Sequence, residues 1–254
     1  MQAIRVAQFG EPEVLILQTV DKLEIQTATQ VLVNLRAAGV NPVDTYIRAG
    51  TYGRLPQLPY TPGTDGAGIV VAVGEAVRRV QVGDRVYGGW PLTGTYAPLT
   101  LYEEDWVYPL PPEISLEQGA GIFIPYSTAH RALFDQAQAR AGETVLIHGA
   151  TGAVGLAAVQ LAVEAGLRVM GTGSTEAGRA LVKAQGAEVV VNHHDPDGPA
   201  QILAATEGRG VDIILEMLAN VNLGQDLPLL AFGGRVVVIG SRGTVATSWR
   251  VVVS

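Results

Sequence analysis

The chain has no cysteine, so disulfide frameworks, thiol nucleophiles and cysteine-ligated metals are excluded from the start. Histidine is scarce, at 4 residues, and the four (His130, His148, His193, His194) are scattered too widely to suggest a metal cage. Charge is sparse at 16%, and it is acidic: 17 Lys and Arg stand against 24 Asp and Glu, for a net charge of −7. A chain with so little positive charge is a poor nucleic-acid binder, because phosphate contacts need basic patches. Long apolar runs are missing as well. The longest, Ala153 to Val163, is broken by Gln160 and stopped by Glu164, too short to cross a bilayer. The first ten residues, MQAIRVAQFG, have no continuous apolar stretch of the signal-peptide kind. A soluble, cytoplasmic protein is the expectation. At 254 residues and 48% hydrophobic, the chain has ample material for a packed core.

What is present falls into two textures. Up to about residue 120 the pattern is of short strands and turns. Gln30 to Leu35 alternates apolar and polar, and Gly68 to Val73 and Arg85 to Tyr87 are β-branched or aromatic runs. Asn41-Pro42, Thr61-Pro62-Gly63, Val82-Gly83-Asp84 and Gly88-Gly89 read as turns between them, predicting a small barrel or sandwich. Helix is expected at 116–121 and, after Pro125, over 127–137. From Glu143 onward strands and helices alternate. Strands are predicted at 144–148, 167–170, 188–191, 211–215 and 235–239. The helices between them fall at 154–165, 175–185, 199–206 and 222–232, the last interrupted by Pro228. Five apolar strands with intervening helices predict a doubly wound parallel sheet, an α/β fold.

The loop Gly149-Ala150-Thr151-Gly152-Ala153-Val154-Gly155 joins the first of these strands to the first helix. It satisfies G-x-G-x-x-G with Ala150 in the first glycine's place. Gly152 lets backbone approach a pyrophosphate, Gly155 lets the helix pack on the sheet, and the helix N-terminus offers free N–H groups. The second strand runs into Gly171-Thr172-Gly173-Ser174-Thr175 where an NAD site usually carries an acid. A small hydroxyl-rich turn, with Arg179 and Lys183 just beyond, favours NADP(H), although Glu176 speaks against it. No nucleophile elbow or Ser/His/Asp set is present, and His148 reads as a packed residue at a strand end. A metal-free hydride transfer carried by the cofactor is the chemistry left.

Several stretches resemble the zinc-free, zeta-crystallin-type quinone oxidoreductases of the medium-chain dehydrogenase/reductase superfamily. They are Val40 to Gly50 (VNPVDTYIRAG), Tyr60 to Gly68 (YTPGTDGAG), Gly83 to Tyr87 (GDRVY), His148 to Leu156 (HGATGAVGL), Glu216 to Asn222 (EMLANVN) and Gly233 to Thr244 (GGRVVVIGSRGT). The resemblance implies a GroES-like catalytic domain over 1–121 and a Rossmann domain over 122–254. The G-H-E motif of zinc-dependent relatives is replaced by Gly63-Thr64-Asp65. Carried over residue by residue, it implies cofactor contacts at Tyr46, Thr151, Gly152, Ala153, Val154, Ser174, His193, Asn222, Ile239, Gly240, Ser241 and Arg242. Tyr46 is the catalytic candidate, with Asn41 as a substrate-side one. The implied activity is NADPH-dependent reduction of a small-molecule quinone or related conjugated carbonyl, without metal, membrane or nucleic acid. The alternative is a catalytically weak dinucleotide-binding protein. In that family the chains run further and form homo-oligomers, so an incomplete C-terminus is expected here. Arg235–Ile239 is expected to be an exposed sheet edge unless Trp249–Val253 pairs with it.

Overall fold

The computed structural model describes residues 1–244, and the chain divides into two compact units, Met1–Ile124 and a second beginning at Pro125. In the first, β1 (Gln2–Arg5) and β2 (Ile16–Thr19) form an antiparallel ribbon. Then come β3 (Gln30–Gly39), α1 (Pro42–Ala49), β4 (Asp65–Val73), β5 (Arg85–Gly89), β6 (Leu99–Glu103), β7 (Val107–Pro109) and α2 (Leu116–Gly119). The five longer-range strands make an antiparallel sheet of order β6-β3-β4-β5-β7. Its core gathers Val31, Val33, Leu35, Val70, Val86, Tyr102 and Val107, the inward-facing alternate residues of each strand.

Asn41-Pro42, expected as a turn, instead opens a helix. Asn41 is its N-cap, Pro42 its first residue and Asp44 its third, and Asp44's carboxylate accepts the Asn41 N–H at 2.8 Å. Proline costs nothing at a position whose N–H has no helical partner. The helix ends at Gly50, whose φ of 76° suits the left-handed cap.

Helix α3 (Phe123–His130) begins two residues before the second unit and runs directly into a π-helical turn at Arg131–Gln136. The helix therefore starts four residues earlier than expected, with Pro125 tolerated in its first turn. β8 (Thr144–Ile147), α4 (Ala153–Glu164), β9 (Arg168–Thr172), α5 (Glu176–Ala184), β10 (Val189–Val191), α6 (Gly198–Ala205), β11 (Val211–Glu216), α7 (Ala219–Asp226) and β12 (Leu230–Val238) complete the second unit. All pairings are parallel, in the order β10-β9-β8-β11-β12. Val145, Ile147, Val169, Ile213 and Leu215 face one layer, with Ala157, Ala158 and Ala162 of α4. Leu146, Met170 and Ile214 face the other, with Ile202 of α6. Burial on both faces explains why these strands read as unbroken apolar runs.

One boundary differs. The helix expected over 222–232 covers Ala219–Asp226, and the last strand already begins at Leu230. Pro228 falls in a short 3-10 turn that separates them. The ladder with β11 jumps from Val211↔Leu230 to Ile213↔Arg235, and Gly233, at φ 76°, lies in the extra length. Among the described residues β12 pairs only with β11. The segment Trp249–Val253, expected as its possible partner, lies outside them. No helix among the described residues is long and apolar enough to cross a membrane.

Candidate dinucleotide and substrate sites

In the second unit, the expected cofactor contacts fall on the carboxyl-end loops of the parallel strands, where open α/β sheets place ligands. Thr151 and Gly152 follow β8, and Gly152 is the N-cap of α4, with Ala153 and Val154 in its first turn. Gly152 has no side chain to cap the first N–H groups, and residues 151–153 are exposed. The two glycines differ in what requires them. A Cβ on Gly155 would lie 2.3 Å from the Gly149 carbonyl and 2.7 Å from Ala150 Cα, so close packing of helix on loop demands glycine. A Cβ on Gly152 would meet only the Gly149 oxygen, at 3.4 Å. The protein's own packing leaves room there, which fits a loop built for close approach of a phosphate group.

Thr151 packs against the next loop: Cβ atoms on Gly173 or Gly178 would each sit 2.8 Å from its methyl. Ser174 is exposed in that loop, and Thr175 caps α5 by accepting the Gly178 N–H at 3.1 Å. Arg179 folds back across the turn, donating from Nη1 to the Ser174 carbonyl at 2.6 Å. Its guanidinium therefore lies beside Ser174. Glu176 is in the first turn of α5, and it is exposed. The Gly173 N–H donates to the Val191 carbonyl, tying this loop to the end of β10.

His193 is exposed in the turn after β10. Its ring packs edge-on against that of His194, with centroids 4.3 Å apart. Partial burial, then His194, His148 and Arg179, hold its pKa below the usual value. Asn222 is inside α7 and donates from Nδ2 to Glu216 Oε1 at 3.1 Å. Ile239 to Arg242 follow β12. Ile239 N–H donates to the Glu216 carbonyl at 2.8 Å, and a Cβ on Gly240 would lie 2.5 Å from the Met217 carbonyl, so only glycine fits there. Asn220 was missed from sequence. Its Oδ1 accepts from the Arg242 N–H at 2.9 Å and from Ser241 Oγ at 3.3 Å, joining this loop to the start of α7.

His148 does follow the end of β8 and is largely buried, as expected, but the expectation that the histidines are too scattered for a ligand set does not hold for it. His148 Nε2 lies 2.8 Å from Asp226 Oδ1 and 3.6 Å from Glu216 Oε2. The three side chains each bring a ligand-type atom within 4.8 Å of the others. The 2.8 Å contact is a direct hydrogen bond. Register carried the signal: Ile147 pairs with Leu215, so His148 and Glu216 leave adjacent strands side by side.

In the first unit, Asn41 and Tyr46 share α1. The Asn41 amide donates to Asp65 Oδ2 at 3.0 Å and is buried, so it acts through its neighbours. Tyr46 is half-buried, with no side-chain hydrogen bond among the described residues. Asp44 Oδ1 accepts from Thr64 Oγ1 at 3.1 Å, and its Oδ2 from Tyr96 at 3.3 Å. Burial pushes the Asp44 pKa up, and pushes that of Asp65 to about 6. Alongside lies an open groove of about 1080 Å³ lined by Asp44, Ile47, Tyr52, Tyr60, Thr64 and Trp90. No sequence motif pointed to it.

Residues 27–112 match the family model described as the alcohol dehydrogenase GroES-like domain, and 153–253 that described as zinc-binding dehydrogenase. Human quinone oxidoreductase is 50% identical over 245 residues, spanning 96% of this chain and 74% of its own length. The quinone oxidoreductase of Pseudomonas syringae pv. tomato superposes with a TM-score of 0.86 at 32% identity, covering 96% of this chain and 75% of that one. The Escherichia coli quinone oxidoreductase, solved in complex with NADPH, gives 0.84 at 30% identity, covering 98% and 76%. With a GroES-like unit ahead of a parallel α/β unit and a relative at half identity, the chain is an oxidoreductase belonging to the quinone oxidoreductase family of the medium-chain dehydrogenase/reductase superfamily.

Proposed function

We propose that this chain binds NADPH in its second unit and reduces quinones or related conjugated carbonyls without zinc. The observation that carries the cofactor choice is the Gly173-Ser174-Thr175 turn with Arg179 folded across it. No carboxylate occupies the turn itself, and a guanidinium lies beside Ser174, as a 2′-phosphate favours. Thr151 to Val154 would hold the pyrophosphate on the uncapped start of α4. His193, Asn222 and Ile239 to Arg242 would line the remaining loops, in strand order.

When bound, the dinucleotide supplies the hydride. The chain's own part is to bind, orient and exclude water. The aromatic groove of the first unit suits a flat acceptor, and Tyr46 shares a helix with Asp44 and Ile47 of its lining. Tyr46 is the candidate for orienting the acceptor oxygen, and Asn41 for holding the helix through Asp65. Zinc independence is supported by the lack of cysteine and by Thr64, whose hydroxyl is bonded to Asp44.

Fluorescence titration with NADPH and NADH tests this, followed by a quinone acceptor screen. NADPH is expected to bind at least about tenfold more tightly, and Ser174→Asp to abolish that preference by facing the 2′-phosphate with a carboxylate. Equal affinities in the unmodified protein would refute the cofactor assignment. Binding without turnover on any quinone would leave a dinucleotide-binding protein.

A further inference from the structure

The His148, Glu216 and Asp226 side chains form a buried chain of contacts linking the two ends of the dinucleotide site. At one end, the Gly149 N–H donates to Thr172 Oγ1 at 3.0 Å, and Thr172 Oγ1 lies 3.4 Å from His148 Nδ1. His148 Nε2 then meets Asp226 Oδ1 at 2.8 Å and Glu216 Oε2 at 3.6 Å. At the other end, Glu216 Oε1 accepts the Leu218 N–H and the Asn222 amide. Gly149 opens the loop expected to hold the pyrophosphate, and Asn222 is an expected contact on the opposite side of β8. Glu216 is 0% and Asp226 1% exposed. Among the described residues, Glu216 Oε2 and Asp226 Oδ2 are buried without a hydrogen-bond partner. Two buried carboxylates beside one imidazole leave a negative charge uncompensated even when the ring is protonated. A proton on Glu216 removes that charge and gives the unpartnered oxygens a donor.

We propose that His148, Glu216 and Asp226 are positioning residues that hold a proton among them and thereby fix the Gly149 loop and Asn222 for the dinucleotide. The proposal rests on the dinucleotide reading above. Burial, and then Asp226, push the Glu216 pKa to about 7. Burial opposes charge on His148, but Asp226 and Glu216 outweigh it and hold the ring above its ordinary value. From the neighbouring turn after β10, His193 adds a second imidazole, whose protonation His148 disfavours. As pH rises through 7, the proton leaves and the two carboxylates repel. Asp226 is the last residue of α7, one turn beyond Asn222, so the repulsion displaces the helix that carries the contact.

The test is the pH dependence, from about 5.5 to about 8.5, of dinucleotide affinity and of the unfolding midpoint without ligand. The unmodified protein is compared with Glu216→Gln, a neutral isostere. NADH is titrated alongside NADPH, because the 2′-phosphate itself titrates in this range. The unmodified protein is expected to lose affinity with rising pH relative to the variant, by about tenfold for each unit by which binding raises the Glu216 pKa. Its midpoint should fall over the same range while that of the variant stays flatter. Asp226→Asn should flatten both profiles too, and serves if Glu216→Gln does not fold. Parallel profiles with binding intact overturn the relay. Stoichiometric zinc uptake in equilibrium dialysis, lost in Glu216→Gln, overturns it in favour of a cation site. Absence of dinucleotide binding by the unmodified protein overturns the functional reading instead, and the relay is then judged on the midpoints alone.

Discussion

Replacing Asp65 by Asn is expected to stabilise the first unit at neutral pH and to remove a pH dependence. Asp65 is 1% exposed and lies at the start of β4. Its Oδ2 accepts from the Asn41 amide and its Oδ1 from the Ile124 N–H, each at 3.0 Å. Those bonds favour the ionised form, but burial, with a smaller contribution from Asp44, wins and sets the pKa at about 6 against an ordinary 3.8. A carboxyl whose pKa is raised on folding is most stabilising when protonated. Its contribution is fully present below pH 3.8 and is lost as pH rises through 6. The gap of roughly two units corresponds to about 3 kcal/mol of folding free energy lost by neutral pH. Asn at this position keeps the Ile124 bond and is never charged. Its amide faces that of Asn41, which must rotate to accept, at a cost of about 1 kcal/mol. The net expectation is a gain of about 2 kcal/mol at about pH 7.5, turning to a loss of about 1 kcal/mol near about pH 4. Urea unfolding followed by tryptophan fluorescence reads it, in a Trp249→Phe background that leaves Trp90 and Trp106 of the first unit to report. Parallel pH profiles for the unmodified and Asp65→Asn proteins would refute the reasoning, as would a variant less stable at every pH.

Two other outcomes follow from geometry already described. Gly155→Ala drives a methyl into backbone atoms 2.3 and 2.7 Å away, which cannot rotate aside. A cost of at least about 2 kcal/mol is expected, with weakened NADPH binding, as measured by thermal melts and fluorescence titration. Quinone reduction should persist after strong chelation, since the proposed chemistry uses no Lewis acid. Activity lost on chelation and restored by zinc would refute this.

The parallel sheet was legible because its strands are covered on both faces, so Val145 to Ile147 and Val211 to Leu215 carry no polar residue except Asp212. The ribbon of β1 and β2 was not, because all four β2 residues are exposed and leave no apolar alternation to read. Helix α1 had its start signal in plain view. Asn-Pro followed by Asp suits both a turn and an N-cap, and eight residues offer little periodicity to decide. The Gly149 loop was readable as a local motif. The contact of His148 with Asp226 spans 78 residues and needs the sheet order before it can be inferred.

The polar knot around Asp44 bears on how this protein could be engineered. The family resemblance of the sequence implies that Thr64 and Asp65 stand where zinc-dependent relatives carry the histidine and glutamate of a G-H-E motif. Thr64 donates to Asp44, and the same Asp44 carboxylate receives Tyr96 and closes the first turn of α1. Grafting a histidine in place of Thr64 would take a donor from the group that starts that helix. Changing Asn41 as well would strip both the helix cap and a partner of Asp65. Installing a metal here is thus a folding problem before it is a coordination problem, and a successful graft would have to bring a new cap for α1 along with its ligands.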